Sequence, residues 1–250
     1  SPRGMKIKEI CDAILVVEDP TSNLYKNPIR SVPLKYLAGE LQWYFSGSNK
    51  LVDIQKYSKF WDNIANEDGT INSAYGHLIF NMYDTPNRMS QWEWALNSLI
   101  KDKDSRQAII HFNRSEHQYL DNKDFVCTLN GIFSIRKDKL NFSIMMRSND
   151  IHFGLTFDFP FFSLLQQQMH RHLLSHYPDL EIGTYTHHAA SLHVYERDFE
   201  KLEKMADQPF IPEALPKLDV NLIDESGKPT NNFINLNKEF KFLKWMSEHL

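Results

Sequence analysis

Cysteine is nearly absent: Cys11 and Cys127 are the two thiols in 250 residues. That excludes a disulfide framework and makes a reducing cytoplasm the default compartment. No apolar stretch approaches membrane-spanning length, and no signal peptide precedes the first expected helix, so neither anchoring nor export is expected. HExxH and CxxC motifs are missing, as are repeats and low-complexity tracts. There is no positive excess either. The formal net charge of −4 argues against general binding to a nucleic-acid backbone, and leaves room for a local basic pocket. What is present is apolar content of 42%, enough to make disorder unexpected. A chain of this length supports one sizeable core, and no boundary divides it, so one domain over residues 1–250 is expected.

The pattern predicts a first helix over residues 5–17 and a second over 33–49. In the second, Pro33 suits the first turn, Leu34, Leu37, Leu41 and Phe45 form a stripe, and Gly47 ends it. A further helix in "WEWALNSLIKDKDSRQAIIHF" breaks at Lys101–Ser105 and leads into a strand. Residues 131–147 alternate on both sides of "RKDK", a hairpin signal. "FFSLLQQQMHRHLLSHY" has a helical period through Phe162, Leu165, Met169 and Leu173, and "ASLHVYERDF" reads as a short strand. The last forty residues start with proline-spaced segments and end in an amphipathic stretch. Strands interspersed with helices give an α/β or α+β class.

Three groups raise chemical questions. Histidines crowd "MHRHLLSH" and "YTHHAASLH". His172 and His176 are one helical turn apart, but no recognised ligand spacing surrounds them, so ordinary helix-surface histidines and no metal are expected. Glu40 falls on the margin of its helix stripe and, from that segment alone, reads as a solvated residue. A lone Cys127 likewise reads as a small core residue. Asp158 is harder to dismiss, because Phe157, Phe159 and Pro160 surround it and a carboxylate is rarely buried unpaired.

The chemistry-bearing stretches come in an informative order: "PRG" (2–4), "GELQWYFSG" (39–47), "FWD" (60–62), "AYG" (74–76), "DSR" (104–106), "FVCT" (125–128), "MRSND" (146–150), "GLTFD" (154–158) and "SLHVY" (191–195). A Cys, an Arg-Ser-x-Asp twenty residues on, a Gly-x-x-Phe and a His-x-Tyr together resemble the thymidylate synthase superfamily. The resemblance implies that family's mixed sheet flanked by helices, and it implies roles. Cys127 matches the nucleophile, Glu40 the acid/base carboxylate and Tyr75 a tyrosine beside the cysteine. Arg147 and Ser148 match the phosphate-binding start of the RSxD motif, and Arg3 the amino-terminal phosphate clamp. Arg106 matches an arginine that reaches the partner subunit's phosphate, which implies a homodimer. His193 and Tyr195 match the pair on the sugar 3′-hydroxyl, while Trp61, Asp150, Gly154 and Phe157 match the folate-contacting surface.

These roles make chemical sense on their own. A thiolate adding at C6 of a pyrimidine makes C5 enamine-like, able to attack a one-carbon electrophile. Guanidinium charge lowers a cysteine pKa, and its planar fork suits phosphate. A buried carboxylate shuttles protons through ordered water. The constellation therefore reverses the isolated readings of Cys127 and Glu40.

Departures from the synthases are equally informative. They carry Asn where this chain has Asp158, His where it has Thr128, and usually Gln where it has Met146. An amide complements uracil, whereas a protonated carboxyl complements cytosine: one oxygen donates to N3 and the other accepts from the 4-amino group. Asp158 is thus expected to select cytosine; the plainer alternative is a helix-cap or structural Asp. Phage-type deoxycytidylate hydroxymethylases resemble the chain more closely here. Gln107 stands where many relatives have a second Arg, a contact that Arg30 or Arg114 would have to replace.

The resemblance implies C5-hydroxymethylation of dCMP, with 5,10-methylenetetrahydrofolate as co-substrate, and no membrane or nucleic-acid partner. Alternatives are a dUMP or CMP hydroxymethylase, a C5-methylase, and a non-catalytic nucleotide- or RNA-binding homologue. If phage-encoded, it would act in the host cytoplasm. No match to the carboxy-terminal tail that closes a synthase site against water is visible, which favours hydration over hydride transfer as the last step.

Overall fold

The computed structural model describes residues 4–82, 86–209 and 211–250, so Arg3 lies outside the described residues. In chain order the elements are β1 (Ile7–Val17), β2 (Leu24–Lys26), α1 (Leu34–Ser46), α2 (Leu51–Ile54), α3 (Tyr75–Phe80) and α4 (Gln91–Lys101). They continue with β3 (Ile109–His111), β4 (Thr128–Arg136), β5 (Lys139–Met146), β6 (Asn149–Asp150) and α5 (Gly154–Leu173). The last are β7 (Glu181–Tyr195), α6 (Phe199–Ala206), β8 (Ile211–Glu213), α7 (Asn231–Ile234) and α8 (Lys241–His249).

The main sheet runs β1-β7-β5-β4-β3, with β6 also paired to β7. β7 is parallel to β5 and β6; the remaining neighbours are antiparallel. The β4–β5 hairpin forms where expected. Its turn residues Lys137 and Asp138 both take positive φ, 51° and 55°, the backbone twist that a two-residue hairpin favours. Alternation along the strands separates the two faces. Phe133, Ile135, Leu140, Phe142, Ile144 and Tyr185 are buried beneath α5, which contributes Phe161, Phe162, Leu165 and Met169. The opposite face is half-open, and β1 leaves Ile10, Ile14 and Val16 exposed at 62%, 63% and 61%.

Three expectations are corrected. Within residues 5–17, Ile7–Val17 forms β1, not a helix. Its β-branched residues suit either pattern, and antiparallel pairing along β7, from Ile7 with Tyr195 to Val17 with Tyr185, decides it. The "short strand" is the end of a 15-residue strand, β7, and Glu196–Asp198 is a separate 3-10 turn. Inward Tyr185, His187 and Ala189 alternate with partly exposed Thr184, Thr186 and His188, a pattern obscured by its polar residues. Finally, α5 begins at Gly154 and carries Pro160 inside it. Asp158 therefore sits within the helix and is not its cap.

The second helix is close to expectation. Gly47, at φ 71°, closes α1 by donating its N–H to Tyr44 O. Gly76 has a different purpose: a Cβ there would lie 1.6 Å from Tyr44 O. Its absence lets α3 press backbone to backbone on α1, and Tyr75 stacks on Tyr44 with centroids 5.3 Å apart.

Candidate active site

The open end of the β4–β5 hairpin brings Cys127 and Arg147 together. Thr128 pairs with Met146, and Arg147 N donates to Cys127 O at 2.9 Å. The Arg147 guanidinium lies over the Phe125 ring, donates to Phe125 O and Val126 O, and places Nη2 3.4 Å from Cys127 Sγ. A cationic N–H donor thus sits where negative charge on sulfur would develop. Thr128 Oγ1 donates to Tyr75 OH at 2.9 Å, so the residue that departs from the synthase pattern anchors the tyrosine beside the cysteine.

β6 attaches the next group to the same end of the sheet. Asp150 pairs with His193, and Ile151 N donates to His193 O at 2.9 Å. Ser148 Oγ lies 3.5 Å from His193 Nδ1, and the Tyr195 ring meets the His193 ring edge-on. Asp150 Oδ1 accepts from His152 N at 2.7 Å, which shapes the turn into α5.

Two carboxyls complete the arrangement, Glu40 buried and Asp158 partly buried. Glu40 on α1 accepts from Tyr36 OH at 2.7 Å. Burial pushes its pKa up to about 8; the Tyr36 hydrogen bond pulls it down, and the Asp158 charge raises it. Asp158 on α5 is pushed up to about 7 by burial, against the lowering effect of Asn149, whose Nδ2 donates to Oδ2 at 2.7 Å. Tyr75 senses both Asp158 and Cys127 electrostatically, and burial holds its hydroxyl well above the ordinary range. Phe157 packs edge-on against Tyr36, and Trp61, in the 3-10 turn Lys59–Asn63, against Trp43.

Glu40, Asp158, Tyr75, Cys127 and Arg147 thus interlock, and Ser148, Asp150, His193 and Tyr195 adjoin through β6 and β7. Arg106 is apart from them. It is exposed on the loop after α4, in a cleft with Trp94, Lys101, Asp104, Gln107 and Arg136. The two candidate replacements at Gln107 have other partners. Arg30 donates to His152 O and to Thr156 Oγ1, and Arg114 pairs with Glu116 at 2.9 Å. His172 is buried against Ile223 O, contrary to the helix-surface expectation, while His176 is exposed. Among the described residues no three His, Cys, Asp or Glu side chains are grouped to hold a metal, and no helix is long and apolar enough to cross a membrane.

Sequence reasoning missed Tyr36 and Asn149. Tyr36 was findable, since residues four apart on a helix meet. Asn149 occupies the unassigned position of the RSxD stretch, and only its meeting with α5 marks it out.

The thymidylate synthase family model matches residues 23–240. Deoxycytidylate 5-hydroxymethyltransferase of Enterobacteria phage T6 is 32% identical over 203 residues, covering 78% of this chain and 78% of that one. Deoxyuridylate hydroxymethyltransferase of Bacillus phage SP01 is 27% identical over 207 residues, 80% of this chain and 53% of the relative. The solved structure of a thermostable thymidylate synthase A from Bacillus subtilis shares the fold, with a TM-score of 0.68 and 23% identity over 83% of this chain and 73% of that one. With its motifs gathered at one end of such a sheet, the chain belongs to the thymidylate synthase family.

Proposed function

We propose that the chain is a folate-dependent pyrimidine C5-hydroxymethyltransferase that converts dCMP to 5-hydroxymethyl-dCMP. One observation carries the choice of base. Asp158 is a partly buried carboxyl, pushed up to about 7, in the electrostatic neighbourhood of Tyr75 and Cys127. Near neutral pH it keeps or shares a proton, so that one oxygen can donate to cytosine N3 while the other accepts from the 4-amino group.

Cys127 adds to C6 and makes C5 nucleophilic. 5,10-Methylenetetrahydrofolate supplies the one-carbon electrophile and leaves as tetrahydrofolate. Of the residues assigned to it, Phe157 and Asp150 are partly exposed and offer an aromatic ring and a carboxylate, while Trp61 is buried at 5% exposure. Glu40, backed by the Tyr36 hydroxyl, takes and returns protons at the ring. Loss of the C5 proton as tetrahydrofolate departs leaves a C5 methylene; water adds to it, and the Cys127 thiolate leaves C6 to restore the ring. Arg147, Ser148 and Arg3 hold the phosphate, and His193 and Tyr195 the 3′-hydroxyl. Arg106 serves the partner's phosphate in a homodimer joined through the open sheet face, where Ile10, Ile14 and Val16 stand exposed.

The second reading is hydroxymethylation of dUMP, favoured by the similarity to the SP01 enzyme. Tritium release from C5-labelled dCMP, CMP and dUMP separates the readings. Release from dCMP in excess of the others is expected. Preference for dUMP would install the second reading, and no release from any would remove the enzyme assignment.

A further inference from the structure

The inference below rests on Asp158 being the group that meets the base edge. A neutral carboxyl is ambidextrous. With its proton on one oxygen it presents donor then acceptor to a pyrimidine; with the proton on the other, acceptor then donor. Cytosine takes one order and uracil the other. Burial therefore makes Asp158 a base reader without making it selective. Selection requires something that decides which oxygen carries the proton.

Asn149 is placed to decide it. Its Nδ2 donates to Asp158 Oδ2 at 2.7 Å. The side chain is 3% exposed, and its Oδ1 is buried without a hydrogen-bond partner among the described residues. Turning the amide over would set its oxygen against Asp158 Oδ2, oxygen facing oxygen in the ionised state, and would break the hydrogen bond that the amide makes to the carboxyl. The NH₂ group therefore stays toward Asp158. An oxygen that already accepts a hydrogen bond is the poorer place for a proton, so the proton goes to Oδ1.

The surroundings hold this contact in place. β6 fixes the Asn149 backbone opposite Leu192 of β7. A Cβ on Gly154 would lie 2.7 Å from Asn149 Nδ2 and 3.4 Å from Asp158 Oδ2, so the first residue of α5 leaves the pair its space. The other titratable groups coupled to Asp158 are Glu40, Tyr36 and Tyr44 from α1, Tyr75 from α3 and Tyr185 from β7. All are acids, and none of them hydrogen-bonds to its carboxyl.

We propose that Asn149 is a positioning residue for substrate selection: its amide keeps the Asp158 proton on Oδ1 and so turns an ambidextrous acid into a reader of one pyrimidine edge. For a cytosine enzyme, Oδ1 then faces N3 and Oδ2 the 4-amino group.

Asn149→Leu keeps the shape and removes the donor. Two readouts are compared with wild type: kcat/KM for dCMP and dUMP by C5 tritium release, and titration of the Asp158 carboxyl by carbon NMR in substrate-free protein. The substrate preference is expected to collapse by about ten- to hundredfold, and the carboxyl midpoint to rise, because the lost hydrogen bond favoured the ionised form. Should Asn149→Leu fail to fold, Gly154→Ala crowds the same amide and is expected to erode the preference too. Proportional loss on both substrates with an unmoved midpoint would make Asn149 merely structural and overturn the proposal. The two readings fail separately. A wild type that prefers dUMP, with preference still lost in Asn149→Leu, sinks the cytosine assignment and leaves Asn149 its role. A wild type that prefers dCMP, with preference intact in the variant, does the reverse.

Discussion

Glu40 is buried and Asp158 partly buried against the same core, and desolvation drives both upward, to about 8 and about 7. Their neighbours differ. Glu40 meets a hydroxyl one turn earlier on its own helix. That O–H rotates and both gives and takes hydrogen bonds, which suits an acid whose proton must move. Asp158 meets an amide from a different element, held on β6. Such a partner suits an acid whose proton must stay on one side. Desolvation favours the neutral form of both groups; the neighbour assigns the task.

The comparison can be tested by removing its parts. The largest effect belongs to the group that both acids serve. Cys127→Ser is expected to lose several orders of magnitude in turnover while nucleotide binding, followed by calorimetry, is largely kept; retention of more than roughly a tenth of the rate would remove covalent catalysis. Glu40→Gln comes next, with a loss of about 10²–10⁴ in kcat on dCMP and dUMP alike. A change in the ratio of the two substrates larger than the change in rate would give Glu40 the reading task instead. Asp158→Asn is expected to move preference toward dUMP by about ten- to hundredfold, the scale of about 1–3 kcal/mol for a mispaired buried group. An unchanged ratio in steady-state kinetics would return Asp158 to a structural role.

The smallest effect is on stability. Both acids have folded pKa values above their unfolded ones, so between about 4 and about 7–8 the folded state holds more protons than the unfolded state. Their contribution is full below the unfolded values and is lost as pH rises through that window. Relative to wild type, Glu40→Gln should therefore gain stability from pH 4.5 to 8, by at most about 1.4 kcal/mol per pH unit. Thermal melts across that range check it; a difference that is flat or falls with pH would contradict the buried, neutral Glu40.

The legible and illegible parts of the sequence divide along the same physical line. Cys127, Arg147 and Ser148 are brought together by the β4–β5 hairpin, whose pairing follows from local alternation and a tight turn, and short motifs mark them and His193. β1 was misread because Ile7, Ile10, Ile14 and Val17 satisfy a helical spacing as well as a strand's composition, and the partner that decides, β7, lies more than 160 residues away. Asn149 is harder to find because its contact joins a two-residue strand to a helix that the pattern starts seven residues too late, at Phe161 instead of Gly154. Tyr36 needed no tertiary information. Arg106 is legible as a motif, but a role toward a second subunit leaves no mark within one chain.

The account rests most on what is added to which base. Enzyme, dCMP and 5,10-methylenetetrahydrofolate are incubated in heavy-oxygen water, and nucleotide mass is followed together with dihydrofolate absorbance. The expected product is dCMP heavier by CH₂O, its new oxygen labelled, with no dihydrofolate formed. A CH₂ gain with stoichiometric dihydrofolate, or product from dUMP and none from dCMP, would contradict it.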